Sequence, residues 1–173
     1  SAAGTMTIVG QSDTNQLIVK GHSTQTAAQI VIQSSAGTEW LPIRALANGS
    51  FVIGKGAAPS LTSADTIAIG NRALEAATSS SSIAIGDRVL KAMTSSGHTN
   101  VGLGRDALQA LTGGHYNFAF GINAIYSNLT GDGNVAVGIE ALYRTTGAWN
   151  IGIGNWAFYS NVSGAQNVGI GTN

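Results

Sequence analysis

The stretch Asn134-Val135-Ala136-Val137-Gly138 decides how this chain is read, because near-copies of it return at a nearly fixed interval. TIAIG ends at Gly70, SIAIG at Gly86, NVGLG at Gly104, NFAFG at Gly121, NIGIG at Gly154 and NVGIG at Gly171, with a looser SFVIG ending at Gly54. Counted along the chain, the steps between these glycines are 16, 16, 18, 17, 17, 16 and 17. A period of this length, held over eight copies, is the mark of a stacked repeat architecture rather than of independent loops.

Each copy has the same parts. The strand carries apolar residues at its second and fourth positions, as in Ile67/Ile69, Phe118/Phe120 and Val135/Val137, and a period of two puts them on one face. Between them stands Ala or Gly without exception from Ala68 to Gly169, so that face too is closely covered. The closing Gly permits a corner. Beyond it come a small residue (Ala73, Val89, Ala107, Ala124, Ala141, Ala157) and then a large one (Leu74, Leu90, Leu108, Ile125, Leu142, Phe158). These form a second apolar column, and a Ser/Thr/Gly-rich turn leads to the next copy. The expected fold is all-β: a parallel β-solenoid or β-roll with rungs of about 17 residues, two strands to a rung, stacked about 4.8 Å apart. On this reading the Ile/Val/Phe pairs build the core. The Ala/Gly face then has nothing in one chain to cover it, which points to three chains intertwined or packed around one axis.

Residues 1–49 read as a small all-β leader and 50–173 as the solenoid, its eight rungs closing at Gly54, Gly70, Gly86, Gly104, Gly121, Gly138, Gly154 and Gly171. In the leader, Thr5–Val9, Gln16–Lys20 and Gln29–Gln33 are β-branched runs bounded by turn formers, and Thr38–Leu41 is a strand that Pro42 should stop.

Composition narrows the function classes. The 173 residues carry eight basic and eight acidic side chains, so the electrostatic footprint of a nucleic-acid binder is missing. There is no cysteine, which removes disulfides and Cys-ligated zinc. No run approaches the roughly 18 apolar residues of a membrane helix, and no signal peptide is evident. Neither a carboxylate pair in a cleft nor a Ser-His-Asp constellation nor a phosphate loop can be placed. The chain is read as non-enzymatic, with no cofactor.

The rungs NVAVGIEALYRTTGAW and NFAFGINAIYSNLTGDG resemble the repeats of phage tail fibres and of the head domains of trimeric autotransporter adhesins. The leader segment QLIVKGHSTQTAAQIVIQSSAGTEW is similar to a stretch common in phage fibre tips. The closing NVGIGTN resembles the phrase that precedes a self-cleaving intramolecular chaperone domain in such fibres, so the chain would be either a matured product or a piece cut at that point. The resemblance implies a homotrimeric fibre segment on the virion that contacts other fibre or tail proteins. It would bind a bacterial surface glycan or outer-membrane receptor without membrane insertion. The alternative owner is a bacterial adhesin on the outer surface. A third reading, a left-handed β-helix acyltransferase, requires hexapeptide repetition and three strands per coil. The rungs here are longer than those usual in adhesin heads.

Candidate binding residues are aromatic. Tyr126, Tyr143 and Tyr159 share one rung position, where earlier rungs carry Glu75, Lys91 and Gln109, and Trp156 takes the place of Arg72, Arg88, Asp106, Asn123 and Glu140. Tyr116 and Trp149 precede their strands. Rigid amphipathic rings of this kind serve as saccharide or receptor platforms; equally, rings stacked rung on rung stiffen a rod or pack between protomers. Asn100, Asn117, Asn134, Asn150 and Asn167 head their strands and read as a structural amide ladder. His98 and His115 recur in the same turn but lie a full rung apart, and are read as turn residues before metal ligands. Opposite charges stack as Glu75 over Lys91, Asp87 over Arg105 and Arg88 over Asp106, with Arg72 over Arg88 as a like-charge pair.

Overall fold

The computed structural model describes residues 30–33, 39–46, 48–62, 65–78, 80–94 and 99–173, so the expected strands Thr5–Val9 and Gln16–Lys20 lie outside the described residues. Ten strands form one sheet in chain order: β1 (Ile30–Gln33), β2 (Glu39–Ala45), β3 (Phe51–Ile53), β4 (Ile67–Ile69), β5 (Ile83–Ile85), β6 (Val101–Leu103), β7 (Phe118–Phe120), β8 (Val135–Val137), β9 (Ile151–Ile153) and β10 (Val168–Ile170). From β3 to β10 every neighbour is parallel and in register, Val135 facing Ile151 and Ala136 facing Gly152. The chain is an all-β solenoid in which each turn of the coil takes up one copy of the sequence repeat.

The two faces of the strand are the reverse of the sequence expectation. Ala68, Ala84, Ala119 and Ala136 are fully buried, whereas none of the sixteen Ile, Val, Leu and Phe residues at the outer strand positions is buried. The reason is thickness. The opposite wall of the rung sends Leu74, Leu90, Leu108, Ile125 and Leu142 inward, all fully buried, and they fill the interior. Only a small residue fits against them from the strand. A Cβ at Gly102 would lie 2.4 Å from Val89 Cγ1, and one at Gly169 would lie 2.7 Å from Phe158 Cε2. At these two positions the enlarged wall residues Val89 and Phe158 leave no room even for the alanine methyl. The small column is therefore covered by its own chain, and the aliphatic column is the uncovered one.

Each rung also holds one strand rather than two. The second apolar segment turns through left-handed residues: Glu140 (φ 56°) and Leu142 (φ 53°) in the rung of β8, followed by Trp149 (φ 60°) before β9. A left-handed side-chain-bearing residue costs about 1–2 kcal/mol, and Ile125 at φ 51° is β-branched as well. Rung-to-rung hydrogen bonds offset this. The N–H groups of Glu140, Leu142 and Trp149 donate to Ile122 O, Ala157 O and Asp132 O at 2.8, 2.9 and 2.8 Å. At the corner, Gly138 (φ 133°) sits so close to the next rung that a Cβ would lie 2.5 Å from Gly154 O. One strand per rung also disagrees with the three-strand coil of a β-helix acyltransferase.

The Asn column forms the expected ladder. Asn117 Oδ1 accepts from Asn134 N at 2.9 Å and from Asn134 Nδ2 at 3.1 Å, while Asn134 Nδ2 also donates to Gly147 O at 3.0 Å and so ties off its own rung. The same pattern links Asn100 to Asn117, Asn134 to Asn150 and Asn150 to Asn167. Ser82 Oγ starts it by accepting from Asn100 N at 3.0 Å. Buried amides are thus paired along the whole stack.

Pro42 does not stop its strand: β2 runs through it, opposite Val31 of β1. Its carbonyl accepts from Gly54 N at 3.0 Å, one residue past the end of β3, so the missing donor falls where that ladder has already finished. The β1–β2 pair acts as the N-terminal cap of the solenoid, and the sheet runs unbroken from β2 into β3. In later rungs the carbonyl equivalent to Ala57 O accepts from the preceding rung, as Val89 O does from Leu74 N at 3.0 Å. Among the described residues no rung precedes the first, and Arg44 Nη2 takes that place by donating to Ala57 O.

The face assignment is open to direct test. Ala136→Leu should lower unfolding stability by roughly 3 kcal/mol through overpacking, while Val135→Thr should cost about 1 kcal/mol or less. Denaturant titration of both variants checks this, and the reverse ranking would contradict the assignment.

Candidate functional site

The six aromatic candidates fall into two groups at the two ends of the strand. Trp156, at φ 60°, occupies the corner after β9 and is 48 % exposed; Trp149, at φ 60°, and Tyr116, at φ 59°, occupy the corner before β9 and β7 and are 56 % and 64 % exposed. Both tryptophans flank the same strand, and three residues at about 3.3 Å each keep the corners on the order of 10 Å apart within one chain. All three side chains stand exposed on left-handed backbone.

At the first corner, Trp156 Nε1 donates to Glu140 Oε2 at 3.1 Å, and Glu140 Oε1 accepts from Asn123 Nδ2 at 3.2 Å. Beside this chain run the tyrosines. Tyr126 and Tyr143 stack with centroids 5.1 Å apart and planes 6° from parallel, and Tyr143 and Tyr159 with centroids 5.0 Å apart and planes 7° from parallel. Stacking half-buries all three rings. Each Tyr143 face is covered by a neighbour, so the column offers ring edges and hydroxyls rather than open faces. Burial pushes the Tyr143 phenol above its ordinary value, and the flanking Tyr126 and Tyr159 add to the shift. Arg144 caps the column, its guanidinium carbon 6.0 Å from the Tyr159 centroid. The faces free to receive a ligand are those of the tryptophans and Tyr116.

At the second corner Trp149 leans back along the rod onto Gly133, where a Cβ would lie 2.2 Å from Trp149 Cε3. Gly133 thus supplies the notch that seats the indole. Tyr116 lies 5.9 Å from the His115 ring, and His115 N donates to Asp132 Oδ1 at 2.7 Å. His98 lies outside the described residues. Among the described residues no three His, Asp or Glu side chains are grouped as metal ligands.

Toward the N-terminus the first corner is ionic instead. Arg88 Nε and Nη2 bind Asp106 Oδ1 and Oδ2 at 2.7 Å each, and Gln109 Nε2 donates to Asp106 Oδ1 at 2.9 Å. Lys91 pairs with Glu75 at 3.6 Å as the stacking suggests. Two expected pairs change. Asp87 engages Arg88 of its own rung at 3.0 Å and accepts from Asn71 at 2.9 Å, while Arg105 lies 3.8 Å from Asp106. Arg72 turns to Glu75 at 3.4 Å, which relieves the like-charge stack on Arg88. A groove of about 580 Å³ on the turn face has Ala76, Ala92 and Ala110 along it, and the paired Glu75 and Lys91 among its walls. Its charges already satisfy one another.

Sequence reading placed Asn123 and Glu140 in the exposed column of Trp156 without giving them a role, and did not single out Gly133, Ile122 or Ile139. The signal was present in columns. The two positions after the corner Gly change from Asp87/Arg88 and Arg105/Asp106 to Ile122/Asn123 and Ile139/Glu140 at the rung where the tyrosines begin.

Comparison with known protein families, with characterised proteins and with solved structures finds no match to this chain. No helix among the described residues is long and apolar enough to cross a membrane.

The ionic half carries a pH prediction. The two hydrogen bonds from Arg88 hold the Asp106 carboxyl below the usual carboxylate range. A lowered native value means stability that is present above the unfolded carboxylate pKa and is lost as pH falls through the native one. Thermal unfolding of the parent should weaken on acidification more than that of Asp106→Asn; parallel curves would remove Asp106 from the account.

Proposed function

We propose that this chain is a structural, non-enzymatic segment of a homotrimeric phage tail fibre that adheres to a bacterial surface glycan or protein. The observation that carries the self-association is the outward face of β3 to β10. Its sixteen apolar side chains are all half-buried or exposed, up to 65 % at Val168 and 76 % at Ile170. Eight strands about 4.8 Å apart and three residues wide give a strip on the order of 40 Å by 10 Å. Ile122 and Ile139 widen it toward the C-terminal half. A strip on the order of 400 Å² is within the range of the largest apolar patch on a monomer, which is often functional; what favours self-association is its continuity over eight rungs, since Phe and Ile are poor residues to leave in water along a straight rod.

The adhesive role rests on the aromatic corners. Their residues are exposed and rigid, and they lie beside the strip rather than inside it. A rod with an aliphatic spine and aromatic edges is suited to holding binding groups at fixed intervals from a thin support. Resemblance of the rungs to phage fibre repeats supplies the biological setting of the proposal.

Ile153→Lys introduces one charge per chain at a single level of the strip. Sedimentation velocity should show this variant shifting to the 17.5 kDa monomer with its rung circular dichroism intact; a variant that sediments like the parent would exclude the strand face as the interface. For adhesion, Trp156→Ala should weaken binding on a glycan array about tenfold, and Tyr143→Ala less, because its faces are already covered. Parent-like binding by Trp156→Ala would refute the aromatic-corner reading.

A further inference from the structure

We infer that the candidate site is completed between copies of the chain: Trp149 of one copy and Trp156 with Glu140 of the next form one saccharide-binding cleft at each boundary. The inference rests on the self-association proposed above and assigns the ligand class and the residues that take it.

The geometry of a single chain separates the two indoles. They stand at opposite ends of β9, with Ile151 and Ile153 between them on the outer face. One sugar ring cannot touch both. Rotation about an axis parallel to the rod changes that. A cyclic assembly sets the edge before the strand in one copy against the edge after the strand in the next. Rotation without translation keeps each rung at its own height. The matching positions are therefore fixed by the rung register: Trp149 meets Trp156 at the level of β9, and the Gly133 notch meets Glu140 at the level of β8. This holds for any such ring, whatever the number of copies.

The chemistry of the facing groups selects a pyranose. The Trp156 indole and the face of Trp149 turned away from Gly133 can stack on the C–H faces of a sugar, as rigid amphipathic rings do. Each Glu140 oxygen already accepts one hydrogen bond, from Asn123 and from Trp156, which fixes the carboxylate. Each retains a second lone pair for a sugar hydroxyl. A fixed carboxylate at the base repels acidic sugars and favours neutral hexoses or amino sugars. Because Trp149 leans toward Gly133, the cleft opens along the rod and suits one residue of a longer polysaccharide.

The test is complementation between two variants. Trp149→Ala and Trp156→Ala each remove one half of every cleft, and both residues are exposed enough for the fold to survive. Each should assemble like the parent and lose at least tenfold binding to an array of neutral, amino and acidic glycans. Chains of the two variants refolded together at equal ratio should regain binding. In a random three-chain mixture, three-quarters of the rings are mixed and each mixed ring restores one of its three clefts, so about a quarter of the parent's sites return. No recovery from two correctly assembled variants would overturn the shared cleft while leaving self-association intact. A parent that sediments as a monomer would instead defeat the reading underneath. A parent that binds a protein receptor and no glycan would overturn the saccharide assignment. A ligand-free readout uses the absence of cysteine from the sequence. The double variant Trp149→Cys/Trp156→Cys with a short bis-maleimide should give cross-linked chains up to the full ring, and each single variant should give none; equal cross-linking in the singles would contradict the pairing.

Discussion

The structure depends on how thin a rung is. The two walls of the coil lie so close that one layer of leucine-sized side chains fills the space between them, and from β4 to β10 the strand residue opposite that layer is always Ala or Gly; Val52 of β3 is buried in the rung whose wall carries Ala58 instead of a large residue. Ala136 is fully buried against this layer, and Gly102 and Gly169 stand where even a methyl group would collide. Volume excluded from the interior has to go elsewhere, and it goes outward: every strand from β3 to β10 turns its two large apolar residues to the outside. A free rod could then reduce its exposed apolar surface by adding copies of itself.

Thinness also explains why backbone chemistry carries so much of the stability. A core of one or two large and a few small side chains per rung, such as Leu90 with Met93 or Leu108 with Leu111, contributes little, at about 25 cal/mol per Å² of apolar surface removed from water. Continuous ladders compensate. The Asn column pairs both backbone and side chain at each step, and the strained left-handed residues hand their N–H groups to neighbouring rungs. Such ladders need a start. Arg44 and the β1–β2 pair provide it by meeting the acceptors and donors that a preceding rung would have met.

Much of this was legible in the sequence. The period, the corner glycines and the Asn ladder follow from residue identities alone, because each is a local requirement repeated from rung to rung. The face assignment was not legible. Alternation at period two tells that Val135 and Val137 share a face and Ala136 takes the other, but not which face is inside, and hydrophobicity favoured the wrong one. The deciding fact is the distance between walls, set by left-handed turns at Glu140 and Leu142 that non-Gly residues rarely adopt. The candidate site was half legible. Aromatic columns stood out, whereas Glu140 and Gly133 gain their roles only through side chains one rung away, Trp156 and Trp149.

The central claim is that a side chain excluded from a thin interior becomes an interface, and the native mass of the unmodified chain in solution tests it most directly. Sedimentation equilibrium should return three times 17.5 kDa. A single species of 17.5 kDa at micromolar concentration, with the rungs folded, would contradict the account.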